Sequence, residues 1–203
     1  MTLSNWLTVS RILLVPVFLA FLLSDLPYGG LVSALVFALA AVTDGLDGWL
    51  ARTRKETSYL GEVLDPFADK LLVSAALIAL VELGKLSSWI AILIIGREFL
   101  VSGIRVLSIG LGKRVPASPW GKAKTVSQIL AILYWTVLPG DSFEGYSGAH
   151  ITAILLMGIA VALTVYSGAD YFASALPLIG AANRADRRGD EGRDEKESTT
   201  GSR

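Results

Sequence analysis

Residues 44–69 read DGLDGWLARTRKETSYLGEVLDPFAD, at the junction of two apolar runs in a chain that is 53% hydrophobic. Four carboxylates, Asp44, Asp47, Asp65 and Asp69, stand at or near the ends of those runs. A carboxylate in an apolar layer is costly unless a cation or a charge partner meets it. Asp44 and Asp47 have i,i+3 spacing and Asp65 and Asp69 i,i+4 spacing, so on helices each pair shares one face. Two such faces brought together form an all-oxygen site of the kind a hard divalent cation takes. Gly48 lies one turn beyond Asp44, and Ala51 follows a turn later. Small residues there leave a shallow slot where a phosphate can approach the backbone. Arg52 ends the face with a planar fork of donors suited to phosphate. Cations, slot and arginine together form a site for a diphosphate.

The remainder of the chain supplies a membrane setting. Its 203 residues have a mean hydropathy of +0.57, which points to a helical membrane protein. Six apolar segments, 4–24, 31–52, 63–82, 87–110, 122–139 and 150–177, are long enough or nearly so to span a hydrocarbon core of about 30 Å. The expected fold is therefore an all-α integral membrane protein with six transmembrane helices in a lipid bilayer. Lys and Arg favour cytoplasmic loops. Arg52, Arg54 and Lys55 follow segment two, Lys113, Arg114, Lys122 and Lys124 surround the start of segment five, and Arg184, Arg187 and Arg188 follow segment six. The other loops hold Asp25, Glu82, Lys85, Asp141 and Glu144. Both termini and the 44–69 segment are then expected in the cytoplasm. Residues 1–180 form the membrane domain. Residues 181–203, AANRADRRGDEGRDEKESTTGSR, have no apolar periodicity and are expected to be a disordered polar tail. The formal net charge is zero, and no nucleic-acid partner is expected. There are no cysteines, so disulfides and thiolate metal sites are excluded. His150, the one histidine, falls in an expected loop and has no ligand-spaced partner.

The second half of the chain carries a second set of charges. Segment four contains Arg97, Glu98 and Arg105 inside an otherwise apolar run, with Glu98, Ser102 and Arg105 on one helical line. Intramembrane arginines normally face a polar cavity. Segment five opens with GKAKT, residues 121–125, and Lys124, Thr125 and Gln128 share a face. Arg97, Arg105, Lys122, Lys124 and Gln128 thus form a candidate site for an anionic, phosphorylated acceptor.

The 44–69 segment resembles the signature of the CDP-alcohol phosphotransferase family. That signature is Asp, two residues, Asp-Gly, two residues, Ala-Arg, eight residues, Gly, three residues, Asp, three residues, Asp. It is met by Asp44, Asp47, Gly48, Ala51, Arg52, Gly61, Asp65 and Asp69. The resemblance implies an enzyme whose CDP-linked lipid binds through its diphosphate to two divalent cations, Mg²⁺ or Mn²⁺. By position, Asp44 and Asp65 would bridge both metals, Asp47 would hold one, and Asp69 would help hold the other and act as the general base. Gly48, Arg52 and Ser58, with Asn5 and Thr8 from the first helix, would line the CDP-lipid side beside Ala51 and Gly61. The segments LTVSRILLVPVF, LDPFADK, REFLVSGIR and GKAKT are most similar to members that use glycerol 3-phosphate as acceptor and CDP-diacylglycerol as donor. Phosphatidylglycerophosphate and CMP would be the products, and family precedent implies a homodimer. Alternatives are a synthase of the same family with a cardiolipin-type or inositol-phosphate-type acceptor, and, in another class, a cation-coupled transporter. Transporters often carry inverted repeats and broken helices, and neither is evident here.

The charge asymmetry yields a direct expectation. Because the chain lacks cysteine, the variants Lys55→Cys, Asp141→Cys and Ser198→Cys each report one position. A membrane-impermeant thiol reagent applied to intact cells should label position 141 only. Labelling at position 55 would put the acidic segment on the outer face.

Overall fold

A computed structural model describes the backbone of residues 3–54, 59–110, 119–138 and 148–200, and the side chains of residues 9–43, 70–106, 108, 120–138 and 148–176. The described residues form helices and no strands: α1 (Leu3–Leu22), α2 (Gly29–Arg54), α3 (Tyr59–Glu82), α4 (Ser88–Gly110), α5 (Pro119–Val137) and α6 (Gly148–Thr200). Each expected apolar segment coincides with one helix. Taken by itself, Gly148–Leu176 is long and apolar enough to cross a membrane; Val9–Leu22 and Gly29–Thr43 are shorter apolar stretches. Within α4, Arg97, Glu98 and Arg105 interrupt an otherwise apolar run.

Burial explains how such helices remain compatible with lipid. Each helix turns large apolar side chains outward: Leu13 in α1, Leu35 in α2, Ile78 in α3, Trp89 and Val106 in α4, Leu130 in α5 and Leu155 in α6 are all exposed. Arg11, Ser33, Lys124, Gln128, Thr136, Thr164 and Ser167 are buried. Polar groups inside and apolar groups outside is the reverse of a water-soluble bundle, and apolar exposure on this scale marks contact with lipid or with other protein.

One core runs through all six helices. It includes Val15 and Phe18 of α1, Phe37 and Ala40 of α2, Ala76 and Leu80 of α3, Ala91 and Ile94 of α4, Ile132 and Trp135 of α5, and Ala153 and Met157 of α6. The many buried alanines let helix backbones approach closely, which is how helices associate without a water-driven hydrophobic force. A smaller cluster, Val101, Ile104, Tyr171 and Ala175, joins α4 to α6 further along. The closest pairings are α5 with α6 and α1 with α2; α1 also packs on α3, and α4 on α6. Polar ties reinforce them. Ser33 Oγ donates to Gly29 O within α2 and to Phe18 O of α1. Trp135 Nε1 donates to Ala153 O across the α5–α6 seam at 3.1 Å.

The turn from α3 to α4 is defined by backbone chemistry. Gly84 has φ +67°, and the amides of Gly84 and Lys85 donate to Val81 O and Leu80 O. This is the double hydrogen bond of a Schellman termination, which favours glycine at the left-handed position. Lys85 then reaches across to donate through Nζ to Leu138 O at the end of α5. Burial holds its pKa below the ordinary 10.5, because desolvation disfavours the ammonium form.

Two expectations differ from the structure. His150 is in the first turn of α6 rather than a loop, and it is buried. Helix α6 continues to Thr200, so the backbone is helical through most of residues 181–203, where composition predicts no regular structure. A long apolar helix supplies a ready-made nucleus, so extension past its end carries no nucleation cost. Ala, Arg, Glu and Lys, frequent in this segment, are good helix formers.

Gly30 shows how tightly α2 meets α5. A Cβ there would lie 2.7 Å from the backbone oxygen of Thr136, and backbone cannot swing aside as a side chain can. Gly30→Ala should lower thermal stability in detergent, since overpacking typically costs about 1–3 kcal/mol and outweighs a helix-propensity gain of roughly 1 kcal/mol. Gly158→Ala, with no atom within 4 Å of its added methyl, should be neutral or slightly stabilising. Equal melting temperatures for the two variants would contradict this packing.

Candidate active site

Two regions converge here, one carrying the acidic signature and the other the cationic cluster. Asp44, Asp47, Gly48, Ala51 and Arg52 lie in the C-terminal part of α2, Gly61, Asp65 and Asp69 in the N-terminal half of α3, and Asn5 and Thr8 in the first turns of α1. The side chains of these residues, and Ser58 altogether, lie outside the described residues. Among the described residues there is no cluster of His, Cys, Asp or Glu able to hold a metal. The helices around the signature do meet. A small cavity of about 20 Å³ is lined by Arg11 of α1, Ala40 and Ala41 of α2, Leu72 and Val73 of α3, and Thr125, Gln128 and Ile129 of α5. Ala41 precedes Asp44 by three residues and Leu72 follows Asp69 by three. The two acidic segments therefore depart from a common meeting point. Four carboxylates on converging helices are a donor set that fits a hard divalent cation.

The cationic cluster is described in side-chain detail. A cavity of about 430 Å³ opens between α3, α4, α5 and α6, lined by Lys70, Arg97, Glu98, Val101, Ser102, Arg105, Gly121, Lys122, Lys124, Thr125, Val126, Ser167 and Tyr171. Its size falls in the range of roughly 300–1,000 Å³ usual for small-molecule sites. Five cationic side chains face one carboxylate among those residues, a surplus of four positive charges. The helical line Glu98–Ser102–Arg105 on α4 lies along one wall.

Glu98 organises the wall. Its Oε1 accepts from Lys124 Nζ of α5 and, at 3.2 Å, from Arg97 Nη1. The Lys124 side chain is 5% exposed, Arg97 14% and Glu98 15%, so these are interior charges. Removing one partner of such a pair typically costs about 3–5 kcal/mol, because it strands the other charge. Arg97 Nη2 donates at 3.0 Å to Ser167 Oγ of α6. The Arg97–Glu98–Lys124 group thus ties three helices together at the cavity.

The five residues expected at an acceptor site do not behave alike. Arg97, Arg105, Lys122 and Lys124 all line the cavity. Lys122 and Arg105 are exposed to it, and Arg105 lies over the Tyr171 ring, with Cζ 5.9 Å from the centroid. Gln128 is absent from this lining. It is buried between helices, donates through Nε2 to Thr164 Oγ1 at 2.9 Å, and lines the small Arg11 cavity instead. An amide buried in a helix seam finds a hydroxyl there, and its position one turn inward from Lys124 draws it away from the opening. Three polar lining residues were not anticipated: Lys70, Ser167 and Tyr171. Lys70 directly follows Asp69. Ser167 and Tyr171 are spaced i,i+4, and the polar break YSGADY at 166–171 in the apolar α6 run was the available signal. The Tyr171 hydroxyl is buried with no hydrogen-bond partner among the described residues.

Comparison with known proteins identifies the family. The sequence matches the CDP-alcohol phosphatidyltransferase family over residues 1–166. A Bacillus subtilis (strain 168) protein named CDP-diacylglycerol–glycerol-3-phosphate 3-phosphatidyltransferase is 38% identical over 193 residues, covering 89% of this chain and 98% of the relative. Proteins of the same name from Haemophilus influenzae and Pseudomonas fluorescens are each 39% identical, over 173 and 186 residues. These cover 82% and 87% of this chain, and 89% and 91% of the relatives. The two-helix acidic signature, the cationic cavity beside it and this extent of similarity place the chain in the CDP-alcohol phosphatidyltransferase family.

Proposed function

We propose that this chain transfers the phosphatidyl group of CDP-diacylglycerol to a hydroxyl of glycerol 3-phosphate, giving phosphatidylglycerophosphate and CMP. The observation that carries this assignment is Lys70. It follows Asp69 on α3 and lines the cationic cavity, so the cavity adjoins the helix turn bearing the acidic signature. A phosphorylated alcohol held there has its hydroxyl end near the carboxylates and its phosphate among Arg97, Arg105, Lys122 and Lys124. The names of relatives matching most of this chain favour glycerol 3-phosphate over a cardiolipin-type or inositol-phosphate-type acceptor, and a transferase over a transporter.

In this mechanism Asp69 takes the proton from the acceptor hydroxyl. The oxygen then attacks the phosphorus bearing the diacylglycerol, and the bond to the CMP oxygen breaks. Asn5, Thr8, Gly48, Ala51, Arg52, Ser58 and Gly61 bound the CDP-lipid side, with Arg52 supplying donors to its phosphates. Asp44, Asp47, Asp65 and Asp69 would hold two divalent cations, Mg²⁺ or Mn²⁺, which when bound neutralise diphosphate charge and stabilise the leaving group. The cationic wall neutralises the acceptor phosphate and orients it, so that its negative charge does not oppose approach to the diphosphate.

The same proposal extends to the setting. All six helices cross the membrane, residues 1–180 form the enzyme, and residues 181–203 lie outside it. Both termini and the site face the cytoplasm, as the loop charges favour. Trp120 and Tyr166, half exposed and packed edge-to-face with centroids 5.1 Å apart, suit the inner interface, and exposed Tyr28 and Trp89 the outer one. Family resemblance supports a homodimer.

Two expectations follow. Asp44→Asn, Asp65→Asn and Asp69→Asn should each abolish CMP release from CDP-diacylglycerol and glycerol 3-phosphate while the purified protein stays monodisperse. Release within about tenfold of wild type for any one would contradict its role, since a hard cation needs the full carboxylate charge.

Arg105→Ala tests the acceptor side. Losing one charge-assisted hydrogen bond should raise the KM for glycerol 3-phosphate by about 10- to 150-fold and leave that for CDP-diacylglycerol nearly unchanged. Steady-state kinetics with each substrate varied in turn measures both, and an equal rise in the two would remove Arg105 from the acceptor site.

A further inference from the structure

Arg97 reaches its position because α6 leaves room for it. A Cβ at Gly168 would stand 3.1 Å from Arg97 Cγ and 3.4 Å from Nε. The Cγ distance is tighter than ordinary contact and the Nε distance is at its edge, so an added methyl would push the arginine stem by a few tenths of an ångström from the groove it occupies beside this glycine. The neighbouring Ser167 is 1% exposed. Its hydroxyl donates to Thr164 O at 3.2 Å, which commits the proton and turns an oxygen lone pair toward Arg97 Nη2 at 3.0 Å. Glu98 Oε1 fixes the other terminal nitrogen at 3.2 Å. The guanidinium is therefore held at two points by different helices. Its buried Nε–H has no acceptor among the described residues, so one donor edge enters the complex unmade.

A long flexible cation loses side-chain entropy when a ligand fixes it. A cation already fixed loses little, and its interaction with an anion is correspondingly stronger. Among the described contacts of the cationic side chains lining the cavity, Arg97 draws on α6 through one residue that yields space and one that accepts a hydrogen bond.

We propose that Gly168 and Ser167 of α6 are positioning residues for acceptor binding, acting through Arg97: the glycine provides the seat for the arginine stem and the serine oxygen sets the plane of its guanidinium. Gly168 is not part of the cavity lining; Ser167 is, but its oxygen is taken up by Arg97 Nη2. The proposal rests on the assignment of this cavity to the phosphorylated acceptor.

The test uses the full-length chain purified in detergent–lipid micelles, with glycerol 3-phosphate and CDP-diacylglycerol varied separately. Gly168→Ala and Ser167→Ala should each raise the acceptor KM about tenfold, the effect of roughly one hydrogen bond to a charged group, with the donor KM unchanged. Gly158→Ala, on the same helix with open space around it, should change neither. In an Arg97→Ala background, Gly168→Ala should add nothing further, because its effect runs through the missing side chain. A full tenfold rise in that background, or no rise in the wild-type background, overturns the proposal. If Gly168→Ala does not yield folded protein, Ser167→Ala decides the matter, since it removes a single oxygen atom. Should Arg97→Ala raise donor and acceptor KM equally, the acceptor assignment itself falls and the positioning role with it. A selective Arg97→Ala effect with silent Gly168 and Ser167 variants would leave the acceptor assignment standing and remove only the seat.

Discussion

A charge within an apolar slab must be met by another charge, a bound ion or a set of donors, and this constraint arranges most of the molecule. Glu98 shows how. One carboxylate oxygen accepts from Lys124 on α5 and from Arg97 beside it, and Arg97 in turn reaches α6. Three helices are thereby fixed relative to one another by a group centred on Glu98, whose loss would take the shared carboxylate from both cations. The network compensates Glu98 and leaves the cavity strongly positive. The interior is thus both satisfied enough to fold and charged enough to attract a phosphate.

Much of the fold was legible because long apolar segments announce themselves by length and hydropathy, and each of the six expected segments coincides with a helix. The pattern of burial was less so. That Arg11 would be fully buried and Leu13 exposed runs against water-soluble intuition and follows only once lipid replaces water as the outer medium. The end of α6 was missed for a different reason. Composition measures whether a segment can fold alone, and residues 181–200 do not start alone. They continue a helix already nucleated, so the test of independent stability does not apply.

At the site, spacing along α4 was a sound guide, since Arg97, Glu98, Ser102 and Arg105 do line one cavity. A helical line fixes which residues share a wall but not which wall faces them. Lys70 and Tyr171 come from α3 and α6, and nothing local to α4 or α5 specifies them. Gln128 failed for the converse reason. It shares a face with Lys124, yet a helix face spans several depths, and one turn inward the nearest partner is Thr164 rather than the opening. The acidic signature stood out by spacing because paired carboxylates at helical intervals in an apolar chain are what a hard-cation site would require, and few other demands impose them.

The split between buried and exposed cations in the cavity has a kinetic consequence. Lys124 and Arg97 sit where counterions scarcely penetrate, whereas Lys122 and Arg105 face solvent. Dissolved salt screens exposed charges within about 8–10 Å at ordinary ionic strength and leaves interior ones nearly untouched. For any anion entering this cavity, the outer pair would govern arrival through long-range steering and the inner pair residence. Ionic strength then acts on the rate of capture while the lifetime of the bound state stays nearly constant, so the entrance responds to the salt around it and the seat does not.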